Sequence, residues 1–118
     1  MSDSGFAHDR LDAYRVAREA LVLGDKLARE LPRGFATLAD RLRRALLSAH
    51  LGVAEGASRS GADRLSRFRC ARGEASEAAA ALDAAMALSL VAPRDAQPVI
   101  ELLGRLCAML TRLSKSAR

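Results

Sequence analysis

The sequence predicts an all-α protein, an antiparallel up-and-down four-helix bundle. Apolar residues recur at helical spacing in four separate stretches, and short Pro- or Gly-containing breakers divide those stretches. Half of the residues are apolar, yet the chain has only three Phe, one Tyr and no Trp. A core of Leu, Ala, Val and Met suits helix-on-helix packing, because strands favour β-branched and aromatic residues in alternation, and no alternation is seen. At 118 residues the chain is read as one domain, 1–118, with residues 1–7 expected to fray.

The first helix is placed at about 9–31, with Leu11, Tyr14, Ala17, Leu21, Gly24 or Ala28, and Leu31 on its inner stripe, and Pro32 and Gly34 ending it. The second is placed at about 35–57, where Phe35, Leu38, Leu42, Ala45, Leu46, Ala49 and Val53 share one stripe. The third, at about 61–90, is announced by Ser60-Gly61-Ala62-Asp63, which has the form of a capping box. Its inner face reads Leu65, Phe68, Ala71, Ala75, Ala78, Leu82, Ala85, Met86 and Ser89, small enough in the middle for close helix approach and leaving little room for a cofactor. Pro93 is read as its stop, and Asp95 and Pro98 open a fourth helix at about 96–114.

That fourth helix carries Val99, Leu103, Leu106, Leu110 and Leu113 on one stripe, and Ile100, Leu102, Cys107 and Met109 beside it or opposite. A helix apolar on two sides is buried on two sides, so these last four residues are the candidate contacts of a homo-oligomer. Connections of a few residues make sequential helices antiparallel neighbours.

The net charge of +5 is concentrated in one segment. Between Arg41 and Arg72 stand Arg41, Arg43, Arg44, Arg59, Arg64, Arg67, Arg69 and Arg72, against only Glu55 and Asp63. Such a segment offers a face to nucleic acid or to an acidic protein, or simply solvates the surface. Arg41, Arg43, Arg64, Arg67 and Arg69 are the candidate binding residues. Arg44, Glu55, Arg59, Arg72 and Glu77 are read as a structural salt-bridge cluster at the turn between helices two and three, with Glu55 and Arg59 paired four apart and Arg72 reaching back to Glu55.

No catalytic or metal motif is present. The glycines are scattered and form no phosphate loop, His8 and His50 lack a partner at helical spacing, and no Glu-x-x-His pair occurs. No enzymatic activity, cofactor, metal or small-molecule substrate is expected. Cys70 and Cys107, isolated in sequence, are read as buried reduced thiols. No apolar run approaches the roughly 20 residues needed to span a bilayer, and Met1 to Gly5 lacks the basic start of a signal peptide, so a cytoplasmic protein without a membrane partner is expected.

The progression Leu42-Arg43-Arg44-Ala45, Ser48, Val53-Ala54-Glu55-Gly56, Arg59, Phe68, Ala71-Arg72-Gly73 and Glu77 resembles that of the 23S rRNA intervening-sequence proteins, a family of four-helix bundles. The chain departs from that pattern at Gly52, where the family has Asn, at Arg41 for Gln, and at Glu74 for Ser; it also lacks the Trp early in helix one. The resemblance implies a ring-shaped homopentamer with a basic face and no enzymatic activity. It extends to the accessory proteins of diversity-generating retroelements, which bind a reverse transcriptase and nucleic acid. The function expected is therefore a non-enzymatic oligomeric interaction protein with a basic face over 41–72; the alternative is a structural scaffold or cargo-like bundle that binds no nucleic acid.

Overall fold

In the computed structural model, which describes residues 5–115, the apolar periodicity is realised as four helices: α1 (Asp12–Arg29), α2 (Ala36–Ala57), α3 (Gly61–Ala87) and α4 (Pro93–Lys115). Short 3-10 turns at Ala7–Arg10 and Arg33–Phe35 lead into α1 and α2, and no strand occurs among the described residues. Each helix packs on its two neighbours in the order α1–α2–α3–α4–α1, and neither diagonal pair touches. The result is an antiparallel four-helix bundle measuring 45 × 28 × 21 Å, its long axis matching the roughly 40 Å that a helix of α3's length spans.

The core lies along the inner stripes. Leu42, Leu46, Val53, Phe68, Leu82, Val99, Leu103, Leu106 and Leu110 are fully buried. In α1 the stripe is rotated from the expected one: Ala13, Val16, Ala17, Ala20, Gly24 and Ala28 are buried, while Leu11, Tyr14, Leu21 and Leu31 flank them half-exposed. Small side chains take the centre because α1 sits close to its neighbours, and the larger ones seal the edges. Glycines mark close approach at the α2–α3 seam. A Cβ on Gly56 would lie 2.5 Å from the Phe68 ring, and one on Gly52 would lie 3.0 Å from Ala71 Cβ, so a side chain at either position would have to displace its neighbour.

Helix ends differ from expectation in instructive ways. The Ser60 hydroxyl makes no cap, so the expected capping box does not form; Asp63 is taken by Arg59 and Arg67 instead. Gly61 opens α3 at φ +58°, a left-handed conformation natural to glycine. The third helix stops at Ala87 before any proline, where Ser89, at φ +61°, lets Leu90 N–H donate to the Ala85 carbonyl in a Schellman-type closure. Pro93 therefore begins α4 rather than ending α3: Asp95 and Ala96 N–H both donate to the Ala92 carbonyl, and Pro93 occupies the first helical position, where no N–H is needed.

The fraying expected of residues 1–4 lies outside the described residues. Residues 5–7, expected to fray with them, lead into the first 3-10 turn, where Phe6 stacks on His8.

Candidate functional site

The arginines of the 41–72 segment split into two groups by partner. Arg41 pairs with Glu77 at 3.3 Å, joining α2 to α3, and Arg43 pairs with Asp25 at 2.7 Å, joining α2 to α1. Arg67 lies 3.4 Å from Asp63 and 3.8 Å from Glu55. Arg64 turns inward over the Phe68 ring, 4.9 Å from its centroid, and donates to the Gly56 and Ala57 carbonyls at the C-terminal end of α2. A cation placed on those carbonyls at the helix end complements the negative end of the helix dipole. Arg69 is exposed and has no carboxylate partner among the described residues. Of the five residues expected to bind a partner, four are thus already engaged within the chain.

The expected salt-bridge cluster is dispersed rather than convergent. Arg59 pairs with Asp63 at 3.0 Å and not with Glu55, because α2 ends at Ala57 and carries Arg59 round the turn to the start of α3. Arg59, the larger influence, together with Arg67 holds the Asp63 carboxyl below its ordinary pKa. Arg72 does not reach Glu55; it donates to Thr111 Oγ1 at 3.2 Å, across to α4. Arg44 has no ion-pair partner among the described residues and lies between two grooves, one lined also by Asp40, Arg43, Leu21 and Val22, the other by Arg41, Ser48, Glu74 and Glu77.

The apolar excess of α4 is used inside the molecule. Leu102, expected at an oligomer interface, belongs to the core at 8 % exposure, and Ile100, Cys107 and Met109 pack against that core half-buried. An antiparallel bundle gives every helix two neighbours, and α4 uses both apolar sides to meet α3 and α1; Leu102 is thereby taken into the core, while Ile100, Cys107 and Met109 keep part of their surface exposed. The large apolar residues left in water are elsewhere: Val22 and Leu23 on α1, Leu47 and Leu51 on α2, Leu88, Phe35 and Phe6. Cys70, expected to be buried, is exposed, and Cys107 is half-buried with Ser76 Oγ 3.6 Å from its sulfur.

A second polar constellation was not anticipated. Phe6, His8, Tyr14 and His50 meet ring to ring in series, the first pair stacked and the next two tilted, with centroid separations of 5.5, 4.4 and 4.5 Å, fastening the amino-terminal turn to α1 and α2. His50 Nδ1 is buried without a hydrogen-bond partner among the described residues. Burial first, then the positive charge of Arg18 and of His8, pushes the His50 pKa below its ordinary value of 6.5. A histidine with a depressed folded-state pKa stabilises the fold fully above its unfolded pKa, and that contribution is lost as pH falls through and below 6.5. Chemical unfolding midpoints should therefore decline between about pH 7 and 5, and His50→Phe should flatten that decline.

Among the described residues no three of His, Cys, Asp and Glu converge as a metal site would require. No helix is long and apolar enough to cross a membrane. No family model matches the chain, and no curated protein matches it either.

Proposed function

We propose that this protein is a non-enzymatic interaction module of the cytoplasm that self-associates and presents a basic surface to nucleic acid. The observation that carries this reading is the set of cations that no carboxylate of the described residues neutralises at one end of the α3–α4 seam. Arg72 meets Thr111 across that seam, so the antiparallel register brings Arg69, one turn earlier on α3, level with Lys115, one turn later on α4. None of the three has an ion-pair partner among the described residues. They form a narrower site than the whole 41–72 segment. Aromatic side chains for base stacking are absent from it, which limits recognition to the phosphate backbone. The resemblance to the intervening-sequence proteins favours the same reading.

A scaffold that binds no nucleic acid is the second reading, favoured by the ion pairs that already occupy Arg41, Arg43, Arg59 and Arg67. Fluorescence anisotropy with arbitrary RNA and duplex DNA separates the two. Binding at low salt should weaken with a log–log slope of about −2.7 on duplex DNA if three phosphates are neutralised. The R69E/R72E variant should lose most of that binding. Absence of binding to both probes at low salt leaves the scaffold.

A further inference from the structure

Asp40, Arg44, Leu47, Leu51 and Glu55, all exposed, run along α2 at spacings of four, three, four and four. At about 100° per residue they fall within roughly 80° of the helix surface, so they form a single outward stripe. Its centre is apolar: Leu47 and Leu51 are 48 % and 49 % exposed, and Val22 of α1 lies beside Leu47 on the rim of the α1–α2 groove at 61 %. Its flanks are charged in opposite senses. Among the described residues Arg44 has no carboxylate partner, and Glu55 meets only Arg67, at 3.8 Å, a cation that Asp63 already engages.

This order of groups is self-complementary. When two such stripes are laid antiparallel about a two-fold axis between Leu47 and Leu51, leucines face leucines and Arg44 of each copy faces Glu55 of the other. A two-fold contact requires one patch to complement itself in just this way. A polyphosphate backbone suits the stripe poorly, since Asp40 and Glu55 would repel it and the leucines offer it nothing.

We infer that the α2 stripe is an isologous interface between two copies of this chain, with α2 antiparallel to its counterpart. The contact closes on itself, and it is a different surface from the α3–α4 cations. It rests on the reading that the protein self-associates, and specifies the face and the symmetry.

Analytical ultracentrifugation of the full chain tests it by charge exchange. The smallest species above the 12.6 kDa monomer should be a dimer. R44E places two acidic groups opposite each other, and E55R two basic ones, so each should weaken dimerisation at least ten-fold. The R44E/E55R double variant should recover most of the loss, and L47D should abolish association. All four variants alter exposed positions, so circular dichroism and the thermal midpoint should stay near those of the parent. If a variant unfolds nonetheless, the recovery or non-recovery of the double exchange decides. A parent chain that sediments as a monomer at high concentration overturns both this interface and self-association. An oligomer unmoved by L47D and by both single exchanges overturns the interface alone.

Discussion

Truncating Phe68 to alanine should cost about 3–5 kcal/mol. The ring is fully buried, contributes the largest side chain of the core, and is clasped between the α2 backbone at Gly56 and the guanidinium of Arg64. Removing it leaves a void at the α2–α3 seam and strips Arg64 of the surface over which it lies, while the Gly56 and Ala57 carbonyls lose the order of their donor. Set against the roughly 5–15 kcal/mol that holds a domain folded, this single truncation brings the molecule near its unfolding threshold. Urea denaturation should show the midpoint falling sharply with the slope unchanged. A loss under about 1 kcal/mol would mean that α2 and α3 close over the gap.

The second large effect separates two glycines that a propensity scale treats alike. Gly56→Ala puts a methyl 2.5 Å from a ring that is itself enclosed, and overpacking of this kind costs about 1–3 kcal/mol, more than the 0.5–1 kcal/mol that alanine gains in a helix. Gly104→Ala, on the outer face of α4, meets nothing within 4 Å and should keep the whole of that gain. Thermal unfolding of the two variants should therefore shift in opposite directions. Stabilisation by both would show that the α2–α3 seam can widen at little cost.

Much of the fold is legible in the sequence because a bundle depends on a local quantity, the helical recurrence of apolar residues. Leu42, Ala45, Leu46, Ala49 and Val53 fall on the expected stripe of α2 and are buried, as are Phe68, Ala71, Ala75, Ala78 and Leu82 on α3. The resemblance had singled out Gly56 and Phe68 as separate positions, and the structure shows them in contact across the α2–α3 seam. Helix ends were less legible, since Asp63 can cap α3 or pair with arginines, and the sequence does not rank those choices.

The candidate site was legible only in part. That arginines crowd 41–72 is a fact of sequence; which of them are neutralised depends on Asp25 and Glu77, brought in by α1 and α3. Leu102 of α4, buried in the core, illustrates the opposite failure. Counting apolar positions cannot tell a helix with two partners inside its own chain from one with a partner outside it. The residues that do reach water, Leu47 and Leu51, lie outside the α2 stripe already assigned to the core and attracted no notice.

The connections of three to six residues between consecutive helices have a kinetic meaning. Three of the four helix contacts join neighbours along the chain, and only the packing of α1 on α4 bridges distant segments. The entropy of loop closure is thus concentrated in that one contact, while the α2–α3 hairpin, with its three-residue turn, can form from purely local encounters. Mixed topologies are disfavoured at the outset: each helix meets its correct neighbour before it has had time to sample another.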